Sequence, residues 1–126
     1  LEGSMHVFNL HELAQFNDNN PSVQLIARSG HARQVLFSFR AGQGLSEHTT
    51  SSQIAVQVIS GELLFEANDE RCLLAPGQLL LLEAEIPHSV HAESDAVMLL
   101  TMTPDPQHHS LAAELFGKIE PMVEMG

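Results

Sequence analysis

The chain has 126 residues, 44% of them hydrophobic, which suits one small globular domain built on one core. Sixteen Asp and Glu against five Lys and Arg give a net charge of −11, with no basic run anywhere. Such a surface repels phosphate backbones and anionic membranes, so neither nucleic acid nor a membrane is expected as a partner.

Leu1-Glu2-Gly3-Ser4 reads as residues left by cloning, with Met5 as the natural start, and the domain is expected to span residues 5–126. Asn9–Phe16 is predicted as a short helix, with Asn9 as its cap and Leu10, Leu13 and Ala14 on one face. Asn17-Asp18-Asn19-Asn20-Pro21 then breaks it. A core of strands follows, over about residues 23–103. Strands are predicted at Val23–Ala27, Gln34–Phe39, Gln53–Ile59, Glu62–Glu66, Arg71–Leu74, Gln78–Leu82, His88–His91 and Ala96–Met102. Ser29-Gly30, Gly42-Gln43-Gly44, Ser60-Gly61, Asn68-Asp69 and Pro76-Gly77 supply the turns. Many short strands without crossover helices indicate an all-β, antiparallel sandwich or barrel. Beyond Pro106, Ser110 can cap a second amphipathic helix carrying Leu111, Leu115, Phe116 and Ile119.

Period-two alternation assigns Val35, Phe37 and Phe39, and likewise Ile54, Val56 and Val58, to one face of their strands. Leu36, Ala55 and Ile59 fall on the other face. Leu79–Leu82 is apolar on both, and so calls for cover on both sides. Because the outward set is apolar and sheets have edges, a homodimer is expected.

Gly42, then His48 after five residues, then Gly61 make one frame; Gly77, Pro87 and His88 make a second. These two frames resemble the paired motifs of the cupin superfamily over roughly Phe37 to Met102. The resemblance implies a double-stranded β-helix, a jelly-roll barrel with short helices at both ends. It also implies one divalent metal (Zn, Ni, Fe or Mn) held inside by three histidines and a glutamate. Here only His48 and His88 stand in register as ligands. Thr50 occupies the place of the second histidine and Ile54 that of the glutamate, while Gln53 reaches the interior only if a bulge re-aims it. In the second frame Glu83 replaces a proline, Glu85 a glycine and Ala92 an asparagine.

The expected pocket is therefore His48, Thr50, Ile54, Val56, Phe37, Phe39 and His88. The remaining histidines carry less. His91 alternates away from His88, His108 and His109 read as solvated, and His6, His11 and His31 as surface residues. Glu83 and Glu85 read as rim carboxylates. Cys72 reads as a buried structural thiol, and Met98 and Met102 as core. A lone cysteine forms no intrachain disulfide, and no signal-like or membrane-spanning run is present, so a cytoplasmic location is expected. Without Tyr or Trp, and with one lysine, Lys118, tyrosyl acids and Schiff-base chemistry have little to draw on.

Two functions follow. One is a barrel that binds a small molecule beside an incomplete metal site. The other is a metal-dependent enzyme, a dioxygenase or an isomerase/lyase acting on a small acid or ketone. No catalytic residue is assigned for either.

Overall fold

A computed structural model describes residues 5–106 and 121–125. It begins with a four-residue helix, α1 (Leu10–Leu13). The strands are β1 (Ser22–Arg28), β2 (Arg33–Phe39), β3 (Gly44–His48), β4 (Gln53–Ser60), β5 (Leu63–Ala67), β6 (Glu70–Leu74), β7 (Leu79–Leu82), β8 (His88–Ala92), β9 (Ala96–Thr103) and β10 (Val123–Glu124). They form a six-stranded sheet in the order β10-β1-β2-β9-β4-β7 and a four-stranded sheet in the order β3-β8-β5-β6. From β2 to β9 the chain crosses to the other sheet at every step except the β5–β6 hairpin, as in a jelly roll.

Alternation builds the core between the sheets. Val35, Phe37, Phe39, Ile54, Val56, Val58, Met98 and Met102 from the larger sheet meet Leu63, Phe65, Leu74 and Val90 from the smaller. Each fully buried side chain of this size contributes about 1.5–3 kcal/mol relative to exposure. Asn68 and Asp69 both adopt left-handed backbone, with φ of 51° and 63°, so the β5–β6 hairpin turns on two residues.

Two strands are absent from the sequence reading. β3 is short, and its Ser46 and Glu47 are exposed, so it lacks an apolar run. β10 contributes two residues and pairs in parallel with β1, the one departure from an antiparallel ladder among the described strands.

α1 is half the expected length. Asn9 does cap it, its side chain accepting from the Glu12 N–H, but Ala14 leaves helical geometry. Phe16 then lies under the Arg40 guanidinium, 4.9 Å from its ring centroid, which draws the chain off the helical path. The expected second helix, with His108, His109 and Lys118, falls outside the described residues.

The outer face of the larger sheet also differs from expectation. Leu36 is fully buried, not free for a partner, because Phe8, Leu10, Leu13 and Ala14 pack over Leu36, Ile26, Ala27 and Val97. That cover stops short of β7. Leu80 and Leu82 face the core, while Leu79 and Leu81 are 55% and 63% exposed, so among the described residues Leu79–Leu82 is covered on one side only. Cys72 is exposed rather than buried, because β6 is an edge strand with no strand beyond it among the described residues.

Candidate functional site

His48 closes β3 and His88 opens β8, and the two are register partners. Their ring centroids lie 4.4 Å apart with the planes tilted by 59°. On β8 the arrangement is regular: His88 and Val90 are two apart and both turn inward. On β3 it is not. Leu45 and His48 are three apart, so strict alternation would send them to opposite faces. Both nevertheless line one cavity, because a bulge lies between them: Leu45 pairs with Val90, but His48 pairs with His88. The extra residue returns His48 to the inner face.

The close seating of β3 depends on Gly44, where an added Cβ would run into the Val90 carbonyl oxygen. On the other side of the site, Glu85 holds φ at 68°, a left-handed position standing where the second frame expects glycine. Its N–H donates to the Thr50 carbonyl at 2.9 Å, tying the turn before His88 to the segment after His48.

The hydrogen bonds fix both imidazoles in the same tautomer. His48 Nδ1 lies 2.8 Å from the Ser46 carbonyl oxygen and His88 Nδ1 lies 2.9 Å from that of Ile86. A carbonyl oxygen only accepts, so each Nδ1 carries the hydrogen and each neutral ring keeps its lone pair on Nε2. Neither Nε2 has a hydrogen-bond partner among the described residues. His88 is 4% exposed and stacks on Phe65, with 5.5 Å between centroids. Its burial pushes the imidazole below the ordinary histidine value; the Ile86 bond opposes that shift, and nearby His48 adds to it.

The cavity open to the centre of a water-sized sphere is about 20 Å³, room for one water, one ion or the head of a larger molecule. Of the expected residues, Phe37, His48, Thr50, Ile54, Val56 and His88 line it. Phe39 does not. It is fully buried and stacked on Phe37, centroids 5.9 Å apart, so it supports the wall from behind. Leu45, Phe65, Val90, Met98, Leu100 and Met102 complete the lining. Inward alternation pointed to Met98, Leu100 and Met102 as core; the bulge that brings in Leu45 has no sequence signal.

Gln53 is exposed, and the β4 irregularity lies at the far end, between Val58 and Ser60, so Gln53 is not turned inward and drops out as a ligand. His91 is exposed on the outer face, as alternation requires. Glu83 and Glu85 are exposed as well.

The donor set tests the expected metal. The Thr50 hydroxyl oxygen accepts from the Ser52 N–H at 3.2 Å, and no group of three His, Cys, Asp or Glu forms among the described residues. Two imidazoles fall short of the three protein ligands that retain an ion at a catalytic site, so the residues present do not fit a metal held by the protein alone. Among the described residues no cation joins the histidines either. Arg28 pairs with Glu124, Arg33 with Asp105, Arg40 with Asp18 and Asp95, and Arg71 with Glu66.

No helix among the described residues is long and apolar enough to cross a membrane. No match was found among curated proteins. Among solved structures, the chain is similar to an RmlC-like cupin protein from Desulfovibrio desulfuricans: 30% identity, TM-score 0.75, covering 80% of this chain and 98% of that one. A cupin superfamily protein from Desulfitobacterium hafniense DCB-2 shares 22% identity at a TM-score of 0.73, over 82% of this chain and 94% of that one. Salicylate 1,2-dioxygenase from Pseudoaminobacter salicylatoxidans shares 20% identity at a TM-score of 0.56, over 59% of this chain and 20% of that one. The family model described as "Cupin domain" matches residues 35–104, more than half of the sequence, and the chain therefore belongs to the cupin domain family.

Proposed function

We propose that this cupin is a small-molecule-binding barrel in which His48 and His88 grip the polar head of a ligand at the bottom of an apolar cavity. One observation carries the reading: two imidazoles, both anchored through Nδ1, border one cavity whose other walls are almost wholly apolar. A few convergent polar groups in an apolar pocket are the usual make-up of a ligand site. A ligand that binds only the folded chain raises its unfolding temperature. A thermal-shift screen of small acids, ketones, alcohols and phenols on chelator-treated protein is expected to give hits that vanish in His48→Ala and His88→Ala. Hits that survive both substitutions would move the site elsewhere.

The free Nε2 on both rings favours a second reading, a metal-dependent dioxygenase or an isomerase/lyase. The substrate's own oxygens would have to complete the coordination, since the protein offers two donors. Likeness to the salicylate dioxygenase bears on the fold alone. Metal analysis of protein purified without an affinity tag separates the readings: a stoichiometric divalent ion favours the enzyme.

We also propose a homodimer and a cytoplasmic location. β7 ends its sheet with four leucines and none of the charges or prolines that usually guard an edge. Antiparallel pairing of two copies of β7, Leu79 opposite Leu82, would set each Glu83 against Gln78 and keep the carboxylates apart. Sedimentation is expected to give twice the chain mass, and Leu81→Arg one chain mass. A single, exposed cysteine, Cys72, suits a reducing compartment.

A further inference from the structure

The chemistry of the pocket also constrains the class of ligand, an argument that rests on the binding reading above. Every polar atom that the two histidines turn away from the backbone is an acceptor. Nδ1–H of His48 is spent on Ser46 and Nδ1–H of His88 on Ile86, which leaves two Nε2 lone pairs at one cavity. Two imidazole acceptors facing a carboxylate would face more lone pairs with no proton between them, and the Thr50 hydroxyl, whose oxygen accepts from the Ser52 N–H, could supply only one hydrogen. The four arginines are each paired with carboxylates elsewhere, so among the described residues no positive charge offsets an anion at the cavity. A net charge of −11 works further against anion entry.

A hydroxyl group meets these lone pairs with the hydrogen they lack. The oxygen fits the space of about 20 Å³ as it stands, and the body that carries it enters as the lining side chains yield. Phe65, stacked on His88, and Phe37, Leu45, Ile54 and Val56 then offer apolar contact to whatever carries that oxygen. We infer that the site takes a neutral, hydroxyl-bearing molecule with an apolar body, a phenol, enol or alcohol, and discriminates against carboxylates. A buried acceptor left without a donor is costly, so a site built this way rejects the analogue that lacks the hydroxyl hydrogen.

Phenol, anisole and benzoate form a matched set that differs in that one feature. Each is titrated at pH 8 into the full chain, treated with chelator, while the imidazole and methyl signals of His48, His88, Ile54 and Val56 are followed by NMR. Phenol is expected to shift these signals at least tenfold more tightly than anisole or benzoate, and to lose that advantage in His88→Phe, which keeps an aromatic ring at the stack. Benzoate binding as well as phenol at the same residues would overturn the ligand class and leave the binding reading standing. Anisole matching phenol would show that the apolar walls alone drive binding, which also overturns the class. Phenol binding that appears only after a divalent ion is added would overturn it in favour of the metal-dependent enzyme. If none of the three perturbs the histidines while other screen compounds do so, the class fails alone; if nothing perturbs them, the binding reading fails with it.

Discussion

The two histidines make the same backbone bond from the same atom, yet they stand on different ground. His88 begins a strand with a neighbour on each side, β3 and β5, and lies 4% exposed against Phe65. His48 ends an edge strand, is only half-buried, and faces inward because of a bulge. The fold thus supplies one rigid wall and one wall held in place by a local irregularity. A site of this kind depends for its geometry on the weaker wall.

The largest expected effect comes from attacking that weaker wall. Gly44→Ala forces a Cβ against the Val90 carbonyl oxygen and should cost about 1–3 kcal/mol, as overpacking does. Chemical denaturation reads the loss, and NMR should show His48 moving away from an undisturbed His88. Next comes the direct contrast between the two rings. His88→Ala empties a buried site stacked on Phe65 and should cost about 2 kcal/mol. His48→Ala, at a half-buried edge, should stay within about 0.5 kcal/mol. Equal losses would erase the distinction drawn between the two walls.

Acid sharpens the same contrast. Burial lowers the folded His88 value below that of the unfolded chain, about 6.5, so the unfolded state takes up its proton first as the pH falls. The stabilisation this confers is full above the unfolded value and is lost as the pH drops through it towards the depressed folded value. Unfolding free energies measured from pH 8 to pH 5 should therefore fall more steeply for the native chain than for His88→Gln. The smallest effect is expected at the turn joining the walls. Glu85→Gly relieves a side chain at φ 68° and should add about 0.5 kcal/mol, the left-handed strain less the glycine's entropy cost. A loss of stability there would mean that the Glu85 side chain makes a contact of its own.

Much of this was legible in the sequence because alternation is a strong signal on regular strands. β2, β4 and β9 read inward and outward correctly, and the frames from Gly42 to His48 and from Gly77 to His88 located both rings. What stayed hidden depends on partners distant in sequence. The β3 bulge is defined only against β8, and β10 exists only because β1 offers an edge. Phe39 shares a face with Phe37, but strand position, not face, decides which of them reaches the cavity. Leu36 looked like a dimer contact because periodicity shows that a face is apolar and cannot show that the chain's own N-terminal segment will cover it. The exposure of Cys72 stays hidden for the same kind of reason, since alternation does not reveal that β6 has no further strand neighbour among the described residues.

The central claim is that His48 and His88 present two bare Nε2 atoms to one cavity. Two-bond ¹⁵N–¹H correlation spectra of the imidazoles at pH 8 test it most directly. The account predicts that both rings appear as the Nδ1–H tautomer, with cross-ring contacts between His48 and His88 and a common response to phenol. An Nε2–H tautomer on either ring, or a His48 ring averaging freely in solvent without contact to His88, would contradict it.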